Sequence, residues 1–227
     1  FAHLVVTITT FTDSKFQVEQ VGGAFAGSGE AGRPVRSAPS PHVEPGRSLV
    51  RPTESTHMAW GWRGLRRDDP RRHALALGLH VLGGGLSSRL FRSVREERGL
   101  AYSVYASTSG YQDAGLVTVY AGTAPDRVNE LSTVVAAEVG EVAAHGVTAA
   151  ELAIARDGFE GSILLGLEGS GSRMGRLGTG QSLLGRVMPI DEYVAVLRSV
   201  PLDDVNAVLA DVLAPEPTLA QVGPAGG

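Results

Sequence analysis

The stretch Gly83–Ser107, GGGLSSRLFRSVREERGLAYSVYAS, contains a glycine turn, a helix and the start of a strand. Ser87 or Ser88 is placed to cap the helix. Gly99 follows its last turn, where glycine readily adopts the left-handed conformation that ends many helices. The segment Ala101–Ser109 then predicts a strand, so this stretch joins a helical part of the fold to a sheet.

Further strands and a helix flank this stretch. Gly115–Ala121 predicts an antiparallel partner strand, which a turn joins to the first. Upstream, Thr56–Leu65 predicts a strand whose methionine and two tryptophans share one face. Asp69 followed by Pro70 is typical of a helix start. The helix that follows is apolar on nearly all sides, so we expect it to be deeply buried.

Helices dominate the rest of the chain. The pattern predicts one helix from Pro125 to about residue 144, and another that begins with the capping box Thr148–Glu151. A glycine-rich break at Gly169–Gly171 precedes helices at about 173–184, 191–200 and 202–213, and Thr218–Val222 predicts a closing strand. This order indicates an α+β fold, with an antiparallel or mixed sheet and helices packed on one face.

The N-terminal part of the chain differs in composition from the remainder. Leu4–Ile8 predicts a strand, and Asp13 can cap a helix after it. Residues 27–48 are rich in Gly, Pro and Ser and predict a linker. The predicted organisation is therefore a segment at 1–26, the linker at 27–48 and a domain at 49–227. Because the chain begins without Met in a strand-like run, we expect it to be part of a longer protein.

The composition excludes several classes of protein. The 227 residues are 43% hydrophobic, which is enough for a packed core, and the net charge of −4 disfavours a nucleic-acid-binding surface. No run of about 18 apolar residues occurs, so the sequence predicts no membrane span. The absence of cysteine excludes disulfides, a thiol nucleophile and zinc–sulfur ligation, and it favours the cytoplasm.

The histidines and glycines form no recognised catalytic motif. Neither H-E-x-x-H nor H-x-x-E-H occurs. His73 and His80 share a helix face, so a bridging metal and ordinary core or surface histidines are both open. Gly83–Gly85 lacks the phosphate-loop pattern, but its exposed backbone groups suit the close approach of an extended peptide. A tight turn between buried helices explains these glycines equally well.

Arg95 and Tyr102 are the candidate catalytic side chains. Arg95 lies near the helix end and Tyr102 at the start of the strand, and the turn at Gly99 can direct both side chains into the same space. Guanidinium and phenol groups are donors that can stabilise a developing oxyanion. The alternative is a solvated charged face, which the helical spacing of Arg92 and Glu96 fits.

The run Gly83–Ser107 closely resembles the insulinase/pitrilysin family of zinc metallopeptidases, in the C-terminal half of bacterial members similar to the mitochondrial processing peptidase. The resemblance implies the LuxS/processing-peptidase type of half-domain, two of which enclose a chamber for unfolded peptides. It also implies that residues 1–26 complete the sheet of a preceding domain. Further matches lie at Thr56–His57, Asp126–Glu138, Leu165–Glu168, Ser172–Met174 and Val222–Pro224.

In this family an inverted zinc motif lies on the N-terminal half, and the C-terminal half is metal-free. The resemblance aligns that motif with Ala76–His80 (ALGLH), which keeps one histidine and lacks the glutamate, so we expect no zinc on this chain. The substrate-binding Arg and Tyr of the family correspond to Arg95 and Tyr102. The expected substrate-binding turn consists of Gly83, Gly84, Gly85, Leu86, Ser87 and Ser88.

The resemblance implies two alternative functions. The first is the substrate-binding half of a zinc endopeptidase that degrades or processes unfolded peptides. Such a half is inactive alone and acts with a zinc-bearing N-terminal half, in the same polypeptide or in a partner subunit of a dimer. The second is a non-catalytic scaffold, like a core subunit of a respiratory complex. A binding-only module outside the family is a further alternative, but Arg95 and Tyr102 favour the peptidase.

Overall fold

A five-stranded sheet organises residues 46–159 and 195–224, which form one of two units in the chain. The structure is a computed structural model, and it describes residues 46–224. In the sheet, the strand order is β1-β5-β2-β4-β3, with β1 parallel to β5 and the other neighbours antiparallel. The predicted α+β class is confirmed. The strands are β1 (Arg47–Val50), β2 (Thr56–Gly64), β3 (Ala101–Gly110), β4 (Gly115–Thr123) and β5 (Thr218–Gly223).

Helices occupy most of the remaining described residues, in the segments where the sequence predicts them. Short helical segments lie at Phe91–Glu96 and Gly180–Leu184, which are π-helical, and at Pro125–Arg127, which is a 3₁₀ turn. The longer helices are α1 (Arg72–Gly83), α2 (Val128–His145), α3 (Ala149–Gly166), α4 (Ser170–Thr179), α5 (Ile190–Ser199) and α6 (Leu202–Leu213).

The core lies between the sheet and the helices on one of its faces. Alternate residues of β2 are buried, and they include the methionine and both tryptophans that the sequence places on one face. The indole N–H of Trp62 donates to the carbonyl of Pro215 at 2.9 Å, so its polar group is satisfied in the core. Helices α1 and α6 pack closely at Gly78, where a Cβ atom would come 2.6 Å from the Leu209 side chain.

The starts of α1 and β1 differ from the prediction. Helix α1 begins at Arg72 rather than at Pro70, because the Asp69 carboxylate accepts the Arg71 backbone N–H at 2.8 Å and forms a separate turn. Strand β1 was not predicted. It begins at Arg47, inside the segment assigned to the linker, and its four exposed residues show no alternation in burial. This strand exists through its pairing with β5.

The helix after the glycine turn is wider than predicted. The Glu97 N–H donates to the Arg92 carbonyl at 2.9 Å, five residues earlier, as in a π-helix. The wider turn places the Arg92 guanidinium 3.9 Å from the Glu97 carboxylate. The expected pairing of Arg92 with Glu96 is therefore wrong, because it assumed the spacing of an α-helix.

Residues 160–194 form the second unit, which contains the end of α3, all of α4 and the start of α5. The Arg176 guanidinium donates to the Met188 carbonyl and lies over the Tyr193 ring, 5.3 Å from its centre. This arginine therefore ties α4 to the start of α5. Apolar side chains that remain exposed here are Leu164, Leu165, Met174, Leu177, Leu183 and Val187.

The N-terminal predictions lie outside the described residues. They are the strand at Leu4–Ile8, the helix after Asp13 and nearly all of the linker at 27–48. Within residues 46–224, no helix combines the length and the apolar character needed to cross a bilayer.

Candidate active site

Strand β3 forms one edge of the sheet, and its first residues are irregular. Its only strand partner in the described part of the chain is β4. Ala101 pairs with Thr123 and Ser103 pairs with Gly122, so Tyr102 is an extra residue without a partner on β4. Such a bulge turns a side chain out of the regular alternation. Tyr102 is 81% exposed.

The helix that precedes β3 places Arg95 beside Tyr102. Gly99 has a φ of +58°, and its N–H donates to the Arg95 carbonyl at 3.1 Å, so the chain reverses direction here. The Cζ atom of Arg95 lies 4.6 Å from the centre of the Tyr102 ring and 4.9 Å from the centre of the Phe91 ring. The structure thus brings the two candidate catalytic side chains into contact, together with a second aromatic ring.

The N–H groups of Arg95 are available to a ligand. The guanidinium forms no hydrogen bond or ion pair with any residue between 46 and 224, whereas Arg92 and Arg98 both pair with Glu97. A ring contact engages the face of the guanidinium plane, and the N–H groups lie in that plane. These N–H groups can therefore donate to an oxygen acceptor of a ligand. The catalytic role assigned to Arg95 and Tyr102 remains a prediction.

The glycine turn lies beside β3. A Cβ atom on Gly83 would come 2.5 Å from the backbone nitrogen of Ala106, so α1 reaches β3 only because this residue has no side chain. The ring of His80 restricts Gly84 in the same way. Gly85 has room for a side chain, since the nearest atom of His80 would lie 3.7 Å away. Packing therefore explains two of these glycines.

Of the other residues of the predicted substrate-binding turn, two are exposed and one is buried. Leu86 is 75% exposed, and Ser87 is exposed beside it. Ser88 is buried, and its hydroxyl accepts the Phe91 N–H at 3.4 Å, which identifies it as the helix cap. The part of the turn that a ligand can reach beside β3 is therefore Gly84–Ser87.

Next to the turn is a shallow cleft in which His80 is the only histidine. The ring of His80 meets Phe159 edge to face, with 5.4 Å between the ring centres, and burial lowers its pKa. Burial and the charge of Arg72 lower the pKa of His73, on the same helix, to about 4. Both histidines are therefore predominantly neutral at pH 7. The cleft is lined by His80, Val81, Ser87, Ser88, Glu151, Ile154 and Ala155.

The zinc that the resemblance implies for the family has no ligand set in this cleft. The aligned positions Ala76–His80 on α1 include Leu77 and Leu79, whose side chains are 0% and 2% exposed in the core. Only His80 offers a ligand atom there. Within the part of the chain that the structure describes, no three His, Asp or Glu side chains lie together as a metal site would require. The residues of α1 therefore do not fit zinc.

An ion pair anchors the helix that follows the turn. Arg89 donates through Nε and Nη2 to the two carboxylate oxygens of Glu151, at 2.7 and 2.9 Å. The same carboxylate accepts the N–H and the hydroxyl of Thr148, each at 2.8 Å, and the Glu151 N–H donates to Thr148 at 3.2 Å, so the predicted capping box is present. The bonds from Arg89, and then those from Thr148, lower the pKa of Glu151 to about 2 against the opposing effect of burial.

The lowered pKa of the Glu151 carboxylate predicts that the domain loses stability in acid. The pKa of Glu151 is 4.5 without its partners and about 2 in the folded protein. Its stabilisation is therefore complete above pH 4.5 and is lost as the pH falls toward 2. We expect Glu151→Gln to lower the free energy of unfolding by about 1 kcal/mol at pH 7, because the Glu151 side chain is partly exposed. The free energy of unfolding should also depend less on pH in this variant. Urea unfolding of both proteins between pH 7 and pH 3 measures this.

Glu130→Gln is the matched control for that measurement. Glu130 pairs with Arg127 at 3.1 Å, but both side chains are exposed, so the substitution should change the free energy of unfolding very little. If Glu151→Gln retained the wild-type dependence on pH, the ion pair with Arg89 would not be the cause.

Several rings on and beside β3 carry no functional role predicted from the sequence. The spacing of Phe91 from Arg95 is that of interacting residues on a helix, and this is the signal that could have indicated their contact. On the sheet face opposite the helices, the Tyr120 hydroxyl lies 2.6 Å from Nδ1 of His57, and the rings of Tyr105 and Tyr120 stack with 5.0 Å between their centres. Tyr105 and Tyr120 are direct partners on β3 and β4, and His57 lies opposite Gly122, two residues from Tyr120, and no local pattern reveals this register.

Comparison with known proteins identifies the family. A family model described as the peptidase M16 inactive domain matches residues 10–159. The chain belongs to this family. The match confirms the resemblance of Gly83–Ser107 to the C-terminal, metal-free half of these zinc peptidases.

Relatives of this M16 domain are bacterial proteins about twice its length. An uncharacterized zinc protease of Streptomyces coelicolor is 42% identical over 98% of this chain, which covers 50% of that protein. An uncharacterized zinc protease of Bacillus subtilis is 37% identical, over 77% of this chain and 42% of its own length. The chain therefore spans about half the length of the relatives it matches.

Solved structures show the same fold. The peptidase M16 inactive domain of Pseudomonas fluorescens has a TM-score of 0.77 at 23% identity, over 95% of this chain and 51% of that one. A protease from Helicobacter pylori has a TM-score of 0.70 at 17% identity, over 92% of this chain and 52% of that one. The M16 domain described here is thus similar in fold to one half of each of these proteins.

Proposed function

We propose that this M16 domain is the substrate-binding half of a zinc endopeptidase that acts on unfolded peptides. The observation that carries the proposal is the contact between Arg95, whose N–H groups have no partner among the described residues, and the exposed Tyr102 on the bulge of β3. In this proposal the zinc lies on an N-terminal half, in the same polypeptide or in a partner subunit. The length and the names of the relatives support it.

In this proposal, Arg95 and Tyr102 stabilise the negative charge that develops during peptide hydrolysis. Attack on a peptide bond places this charge on the former carbonyl oxygen. Arg95 would donate from a planar group that stays positively charged, and Tyr102 would donate from a neutral hydroxyl. Donors that are already in place lower the barrier because they do not have to reorganise during the reaction.

The outer edge of β3 is the proposed binding surface for the substrate backbone. An extended peptide can pair with the backbone groups of an edge strand, which supplies affinity without requiring particular side chains. The exposed residues Gly84–Ser87 lie beside this edge, since Gly83 contacts the backbone at Ala106. A peptide bound there would run past Tyr102. A folded protein could not offer the extended backbone that this pairing needs.

The same proposal covers the N-terminal part of the chain. Residues 1–26 would complete the sheet of the preceding half, and the residues from 27 up to the start of β1 would link the two halves. The non-catalytic scaffold is the alternative, and it would need neither an open β3 edge nor free donors on Arg95. A binding experiment therefore separates the two functions.

A competition assay tests the proposed function. The full-length protein, with both halves, is mixed with a fluorescent peptide of about ten residues, enough to span one strand. We expect an unlabelled extended peptide to displace it, and a copy with N-methyl groups on alternate residues to fail, because methylation removes the backbone donors and keeps the side chains. The folded parent protein should also fail. Equal competition by the methylated peptide would exclude strand pairing, and no binding at all would favour the scaffold.

A further inference from the structure

We propose that Phe91 is a positioning residue, which holds the Arg95 guanidinium in the orientation that a substrate oxygen requires. This inference rests on the proposed function, since it assigns a role to a residue that need not touch the substrate. It starts from the contact of Arg95 with two rings, 4.9 Å from Phe91 and 4.6 Å from Tyr102.

Among the described residues, the Arg95 guanidinium interacts only with these two rings. No carboxylate or carbonyl in the described part of the chain accepts a hydrogen bond from Arg95, although Glu97 lies two residues away and pairs with Arg92 and Arg98. A long side chain without such a partner would otherwise sample many rotamers. The rings therefore replace the carboxylate that normally fixes an arginine, and they leave its N–H groups free.

Phe91 is the better anchored of the two rings. Its backbone N–H donates to the buried hydroxyl of Ser88, and its side chain is only partly exposed. Tyr102 lies on a bulge and is 81% exposed. Since Tyr102 has little packing of its own, we infer that Phe91 supports Arg95 and that Arg95 in turn supports Tyr102.

The test compares Phe91→Leu in two backgrounds of the full-length enzyme. A cation–π contact of this exposure corresponds to about a fivefold to tenfold effect. We expect Phe91→Leu to lower kcat about fivefold to tenfold in the wild-type background, with a smaller change in KM. In an Arg95→Ala background it should have no further effect, because the residue that it positions is gone. Phe91→Trp should restore most of the activity, since Trp also offers a ring face.

The outcomes separate this inference from the proposed function. If Arg95→Ala and Tyr102→Phe leave turnover unchanged, the proposed function fails, and the inference fails with it. If those variants are impaired but Phe91→Leu is silent, or lowers kcat equally in both backgrounds, only the positioning role is wrong. Tyr111→Leu is the matched control, because Tyr111 is 57% exposed beyond the far end of β3. It should keep wild-type kinetics.

A second measurement needs no activity and uses the chain itself. The ¹⁵N relaxation of the Arg95 Nε–H group reports how rigidly the guanidinium is held. We expect its order parameter to fall in Phe91→Leu and to be retained in Phe91→Trp and Tyr111→Leu. An unchanged order parameter in a folded Phe91→Leu protein would overturn the positioning role.

Discussion

Replacing Tyr102 by Phe in the full-length enzyme is expected to lower kcat by about 10²–10³-fold, the effect of losing one donor to an oxyanion. The substitution removes one oxygen from a side chain that is 81% exposed, so folding and the ring contact with Arg95 should persist. KM should change much less, because the hydroxyl acts mainly on charge that appears in the transition state. Steady-state kinetics with an extended peptide substrate measure both constants.

Two further variants show whether this loss is specific. Tyr111→Phe removes the same hydroxyl from another exposed tyrosine of the domain and should leave kcat unchanged. Arg95→Ala should lower kcat by a similar factor as Tyr102→Phe and also raise KM, because it removes a charge together with its donors. Wild-type turnover in both Tyr102→Phe and Arg95→Ala would show that the pair is ordinary surface structure.

Gly83→Ala is expected to destabilise the domain by about 2 kcal/mol, within the usual range for an overpacked core. The added Cβ atom would lie 2.5 Å from the Ala106 nitrogen, which belongs to the backbone of β3 and cannot rotate away. Alanine is otherwise about 1 kcal/mol better than glycine in a helix, so a net loss shows that the contact with β3 outweighs helix propensity. Urea unfolding measures the difference. Peptide binding should weaken as well, because α1 or β3 must shift.

Gly85→Ala is the control from the same turn. Its Cβ atom would lie 3.7 Å from the nearest atom of His80, which is an ordinary contact, and we expect a change within about 0.5 kcal/mol. If both variants unfolded at the same urea concentration, the close approach of α1 to β3 would not depend on Gly83.

Elements with a strong local pattern were predictable from the sequence. The bounds of α6, Leu202–Leu213, match the prediction, and β2 has the expected face of buried side chains. Alternation and helical spacing record burial directly, so one strand or helix can be recognised without its neighbours. Strand β1 has no such pattern, since all four of its residues are exposed, and only its pairing with β5 defines it.

The candidate site also has features that a local pattern predicts and features that depend on contacts between distant segments. The proximity of Arg95 and Tyr102 followed from one local signal, the glycine at position 99, which the structure shows with φ at +58°. The bulge at Tyr102 depends on the register between β3 and β4, and the sequence of β3 alone does not contain it. The sequence also could not show why position 83 requires glycine. A glycine in close contact with Ala106 and a glycine in an unpacked turn look the same in the sequence.

An open edge that is proposed to bind peptides would also be exposed to self-association. After the bulge, β3 continues to Gly110 without a charged residue or a proline, the features with which many proteins block the pairing of their edges. The hydroxyl groups of its serines and threonine keep the strand polar but do not prevent another strand from adding to it. We therefore expect concentrated solutions of this domain to aggregate edge to edge, and a peptide bound at β3 to reduce that aggregation.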